Sequence, residues 1–154
     1  ASPTARATIV RWVTEWYETH IVFRYAGEDA PGEMPRYELG ELPEGFVENL
    51  ESQFVGTGMT AHFYENEKGD VILFEYIYMQ QGSLSGVNTE NAYVISVIVN
   101  DCEGLLVIPK EEDSNSMLMW LDPEHDLQFT LDAPLGQEDI LHMAESVYLV
   151  ETTK

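Results

Sequence analysis

Between Tyr37 and Leu131, apolar residues recur mainly at every second position, the period of a half-buried β-strand. Met59–Glu65 and Val71–Met79 flank Asn66-Glu67-Lys68-Gly69-Asp70, a hairpin loop in which Gly69 accommodates a positive φ. In the second run Ile72, Phe74, Tyr76 and Tyr78 share one face. Val71, Leu73, Ile77 and Met79 share the other, so both faces of this strand are expected to be covered. Tyr93–Val99 and Leu105–Ile108 predict a second hairpin across Asn100-Asp101-Cys102-Glu103-Gly104. Met117–Leu121 and Leu127–Leu131 predict a third around Asp122-Pro123-Glu124-His125-Asp126. Tyr37-Glu38-Leu39 alternates and stops at the turn Leu42-Pro43-Glu44-Gly45, and Phe46–Val55 alternates less cleanly. Ala26–Pro35 and Gln80–Asn91 read as loops from their Gly, Pro, Ser and polar content, and Lys110–Ser116 as an acidic turn.

The two ends carry a different period. Ser2-Pro3 offers an N-cap and a first-turn proline, and Ile9, Val13, Trp16, Tyr17 and His20 follow at spacings of three and four. That spacing predicts an N-terminal helix over residues 1–25 with an aromatic core face. Ile21–Tyr25 is β-branched and aromatic, and is the stretch where a strand can begin instead. At the other end Gly136 precedes acids suited to a helix N-terminus, and Ile140, Ala144 and Val147 line one face of a helix over 136–148. The expected fold is therefore α+β in a single domain spanning 1–154. It has an antiparallel sheet of hairpin-connected strands over 37–131, with the N-terminal and C-terminal helices packed on one face.

Charge narrows the choice of partners. The chain holds 28 Asp and Glu against seven Lys and Arg, a formal net charge of −21. Residues 1–36 are nearly balanced, so almost all of the excess lies in residues 37–154. Such a body repels phosphate backbones and anionic headgroups, which argues against nucleic-acid binding. Cys102 is the only cysteine, so no internal disulfide forms. No apolar run is long enough to span a bilayer. The chain opens at Ala1 without an initiator Met and reads as part of a longer protein, with room for an anchor upstream.

The search for chemistry yields little. Asp122, Glu124 and Asp126 alternate like the start of a calcium loop, but the Gly and terminal Glu of an EF-hand are missing, and the segment is read as an exposed hairpin turn. Glu111–Asp113 is a second acidic stretch. His142 and Glu145 lie three apart on the closing helix without a second such pair. His20, His62 and His125 have no ligand-like spacing. Gly82-Ser83-Leu84-Ser85-Gly86 fails as a nucleophile elbow because Leu84 stands at its centre. Cys102 sits between two acids, which raise a thiol pKa. No catalytic, cofactor-binding or metal-ligating residue is assigned, and no cofactor is expected.

Several stretches resemble a bacterial family catalogued as domain of unknown function four-three-six-seven. They are Trp12–His20, Tyr37-Glu38-Leu39-Gly40-Glu41-Leu42-Pro43-Glu44-Gly45-Phe46, Asn88-Thr89-Glu90 and Ile98–Gly104, where Gly is more typical than Asp101. Met119-Trp120 with Phe129-Thr130-Leu131, and Ile140–Val147, continue the similarity. The resemblance implies an extracytoplasmic C-terminal domain of single-pass membrane proteins, some of them similar to anti-sigma factors, with no catalytic residues to carry over. In the matching stretches Pro43 and Gly45 are expected to fix a turn, Trp120 to fill the core, and Ala144 to let the helix approach the sheet.

Three functions follow as expectations. The first is a non-enzymatic sensory or interaction domain with a protein or cell-envelope partner, tethered through an upstream anchor. The second is a small-ligand or cation-binding domain, with a pocket between the sheet and the N-terminal helix lined by Trp12, Trp16, Tyr76, Tyr78 and Trp120. The third is a carboxylate-dependent cell-wall hydrolase, which needs two facing acids.

Overall fold

The computed structural model describes residues 12–16, 20–25, 34–79 and 84–150. Its dominant element is an antiparallel sheet of eight strands. Along the sheet the order is β4 (Val47–Glu48), β6 (Met59–Glu65), β7 (Val71–Tyr78), β12 (Leu127–Ala133), β11 (Ser116–Asp122), β10 (Cys102–Pro109) and β9 (Ala92–Val99). Strand β5 (Phe54–Val55) also pairs with β6, so it shares the outer edge with β4. The three hairpins expected from alternation all form, as β6–β7, β9–β10 and β11–β12. The centre of the sheet is made by β7 pairing with β12, two strands remote in sequence.

The described residues are mostly β, with one α-helix beside an eight-stranded antiparallel sheet, which overturns the α+β expectation. The expected N-terminal helix is not formed where the chain is described. Trp12–Trp16 is strand β1 and His20–Tyr25 is strand β2, paired antiparallel from Trp12↔Tyr25 to Trp16↔Ile21. Trp12, Thr14 and Trp16 also fit a period of two. In a segment this rich in aromatic and β-branched residues, strand pairing outweighs a helical spacing. The helix cap at Ser2-Pro3, and Ile9 and Tyr17 of the helical face, lie outside the described residues, as does most of the 26–35 loop. The polar stretch 80–91 was expected to be a loop, yet Leu84–Asn88 is strand β8 and pairs with β2. Its partner supplies the hydrogen bonds that its own composition does not advertise.

The closing helix is real but short. Helix α1 runs over Gln137–Glu145 with Gly136 at its N-cap, and the chain then becomes strand β13 (Tyr148–Leu149), paired with β3 (Tyr37–Glu38). Ser146 ends the helix: its hydroxyl donates to the Met143 carbonyl at 2.5 Å and accepts from the Gly40 and Glu41 amides. No helix among the described residues is long and apolar enough to cross a membrane.

Both faces of the large sheet carry core, but over different strands. On β7 the Ile72, Phe74, Tyr76 and Tyr78 face is buried, while Val71 is exposed and Leu73 and Ile77 are only partly buried. This strand is therefore not covered on both faces as its pattern predicted. On one face Ile72, Phe74, Tyr76, Leu118, Trp120, Phe129 and Leu131 pack under Ile140, Met143 and Ala144 of α1 and under Tyr37. On the other face Leu105, Val107, Met119 and Leu121 pack against Ile21 of β2 and Val87 of β8. The small sheet β1-β2-β8 thus lies over the β9–β11 side. The matching-segment expectations hold in place. Gly45 has φ +89° and the Phe46 amide donates to the Pro43 carbonyl at 3.2 Å, closing the turn. Trp120 and Ala144 are both buried in the core.

Candidate functional site

The β11–β12 turn brings together part of the acidic pattern singled out in the sequence. Asp122, Glu124 and His125 have ligand atoms within 4.8 Å of one another, so His125 stands where Asp126 was expected. The geometry explains the cluster locally. Asp122 Oδ1 accepts from the Glu124 and His125 amides at 3.1 and 3.3 Å, and His125 Nδ1 lies 2.8 Å from Asp122 Oδ2. The Asp122 carboxylate therefore builds the turn, and Asp126 completes it at φ 59°. Glu111–Asp113 is an exposed turn. On α1, His142 is paired with Glu41 at 2.6 Å and not with Glu145. That pair crosses a shallow groove of about 290 Å³ between α1 and the Leu42-Pro43 turn.

Cys102 is half-buried opposite Val99, and burial pushes its thiol up to about 11, with Asp122, Asp101 and Glu124 adding to the rise. A thiol held protonated in this way is a poor nucleophile. The aromatic residues proposed to line a ligand pocket are instead packed solidly. Tyr76, Tyr78 and Trp120 are buried, Trp120 stacks on Phe129 at 5.1 Å, and Tyr76 Oη is bonded to the Tyr37 backbone. The pocket against an N-terminal helix is therefore withdrawn: its described rings fill the core, and Trp12 and Trp16 are on a strand.

Two features escaped the sequence reading. The first is His62, fully buried on β6 with its ring stacked 5.9 Å from Phe74. Its Nδ1 is 2.9 Å from Glu48 Oε2, so Nδ1 donates to the carboxylate, and its Nε2 has no hydrogen-bond partner. An alternating strand pattern gives no hint of this, because Glu48 comes from an edge strand that only the fold places beside His62.

The second feature is the edge itself. Phe46–Val55 forms two two-residue strands broken by a 3-10 turn at Leu50–Ser52, where the Asn49 side chain accepts from the Glu51 amide at 3.1 Å. Val47, Leu50, Phe54 and Val55 stand 70%, 68%, 53% and 68% exposed, more than solvent-facing packing requires of large apolar residues. Inward from Phe54 the register runs Phe54↔Ala61, Ala61↔Glu75 and Glu75↔Thr130. Glu75 is half-buried, and burial raises its carboxyl pKa. Its direct cross-strand neighbours are Ala61 and Thr130, neither of them an acid.

A family model described as Domain of unknown function (DUF4367) matches residues 36–147. No curated protein and no solved structure matches the chain. The matched span runs from the start of β3 to the end of α1 and includes the exposed edge, the Asn100-Asp101 turn and Trp120. Since that span takes in well over half of the sequence, the chain belongs to the DUF4367 family.

Proposed function

We propose that this chain is a non-enzymatic protein-interaction domain, held outside the cell membrane by an anchor upstream of it. The observation that carries the reading is the exposure of Val47, Leu50, Phe54 and Val55 along one edge, while Tyr76, Tyr78 and Trp120 are buried in the core. Exposed apolar side chains grouped on one element mark a contact surface, and the net charge of −21 keeps such a body dispersed until a partner covers it. The extracytoplasmic, anchored setting is what the family resemblance implies, and the acid-rich body suits it because it is repelled by anionic headgroups.

The test is photo-crosslinking in cells that make the full-length protein, with a photoreactive phenylalanine placed at exposed positions on each edge and on α1. A discrete adduct with a second protein is the expected result, together with activity of a reporter fused to this domain only when the reporter lies outside the membrane. Absence of an adduct from every position, or a reporter active only inside, overturns the reading.

A further inference from the structure

We propose that the edge formed by Val47, Leu50, Phe54 and Val55 docks a cationic amphipathic segment of a partner protein; this rests on the interaction reading above and assigns it a site and a partner chemistry. Three observations define that chemistry. Residues 37–67 contain seven glutamates and neither lysine nor arginine, so the apolar edge is framed by acid. Glu51 follows Leu50 in sequence, and Glu65 lies directly opposite Val47 on β6. The row Phe54–Ala61–Glu75 then sets an exposed ring and a half-buried carboxyl on one face, on either side of a small residue.

Adjacent strands lie about 4.8 Å apart, so Phe54 and Glu75 are separated by about 10 Å. A partner segment that covers Phe54 with an apolar residue brings a Lys or Arg side chain within reach of Glu75 across Ala61. Glu75 has no ion pair among the described residues, and a cation there relieves the cost of its burial. The same charge decides against other occupants. A second copy would bring another acid-rich edge against this one, and an anionic bilayer would be repelled. Strand addition is also disfavoured, because the 3-10 turn interrupts the edge between β4 and β5. Docking therefore proceeds through side chains, apolar at the centre and basic at the rim.

The experiment measures binding of the whole domain to three labelled peptides of about 18 residues, one Leu/Lys amphipathic, one Leu/Glu amphipathic and one Lys/Ser without apolar residues. Phosphatidylglycerol vesicles serve as a fourth probe. The Leu/Lys peptide alone is expected to bind, with affinity falling at least about tenfold in Leu50→Ser and Phe54→Ser and severalfold in Glu75→Gln. Tyr93→Ser and Ile98→Ser, on the opposite edge, are expected to change it by less than about twofold. All these positions except Glu75 are exposed, so thermal unfolding should show the variants folded. Equal binding of the Lys/Ser peptide, binding to the vesicles, or equal losses at both edges overturns the proposal. In the crosslinking experiment, adducts from Ile98 but not from Leu50 overturn this site while leaving the interaction reading intact. Silence from all positions overturns both.

Discussion

Gly104 stands directly opposite Trp120 across the β10–β11 pair, and the Met119 carbonyl and the Trp120 Cβ occupy the space that a side chain at 104 would need. A Cβ built on Gly104 comes within 2.7 Å of the Met119 carbonyl oxygen and 3.1 Å of Trp120 Cβ, with Val97 closing the third side at 3.4 Å. Gly104→Ala must therefore push two strands apart or displace Trp120 from its stack on Phe129. Overpacking of this kind costs about 1–3 kcal/mol, so the urea midpoint is expected to fall without a change in slope. An unchanged midpoint would mean that the sheet yields at this row.

The β9–β10 turn offers the opposite change. Asn100 and Asp101 have φ +47° and +68°, the two left-handed residues of a type I′ hairpin. Glycine adopts that conformation at the second position without a Cβ penalty. Asp101→Gly is expected to stabilise the domain by about 0.5–1 kcal/mol, raising the melting midpoint by about 1–4 °C. A fall in the midpoint would show that the Asp101 side chain makes a compensating bond.

His62 and Glu48 should reveal themselves as a pair. Glu48→Ala removes the acceptor from a fully buried ring nitrogen and is expected to cost about 1–3 kcal/mol. Adding His62→Leu removes the stranded donor as well, and should recover part of that loss. A double variant less stable than Glu48→Ala alone would mean that ring stacking on Phe74 outweighs the hydrogen bond.

Glu75 ties stability to pH in a direction that can be read directly. Its folded carboxyl pKa lies above the ordinary value of 4.5 because it is buried. A raised pKa contributes stability that is complete below about pH 4.5 and is lost as pH rises through the folded value. Glu75→Gln should therefore stabilise the free domain at pH 7, with the advantage shrinking toward pH 4. Chemical denaturation of both proteins across that range checks it; an advantage independent of pH would remove ionisation as the cause. The same substitution is expected to weaken the cationic peptide, so stability and binding move in opposite directions.

Calcium provides a test of the β11–β12 turn. Asp122 already accepts two amides and faces His125, so millimolar calcium is expected to raise the melting midpoint no more than magnesium at matched ionic strength. A calcium-specific rise, abolished by Asp122→Asn, would show that the cluster rearranges around an ion.

The local hairpins and the closing helix were written in the sequence itself. Met59–Glu65 with Val71–Tyr78, and Ser116–Asp122 with Leu127–Ala133, could be read because alternation and turn residues act between neighbours in the chain. The two-sided apolar pattern of β7 misled, because the second face of the sheet is buried over β10 and β11 and not over β7 itself. Trp12–Trp16 was not legible because a short aromatic run satisfies either period, and Leu84–Asn88 was not because it owes its strand state to β2, far away in sequence. The β7–β12 seam, the burial of His62 beside Glu48 and the row from Phe54 to Glu75 were decided by tertiary structure alone. Sequence spacing specifies which face a side chain takes within its own strand. Which strand lies beside it depends on long-range pairing, and the exposed edge arises from that pairing.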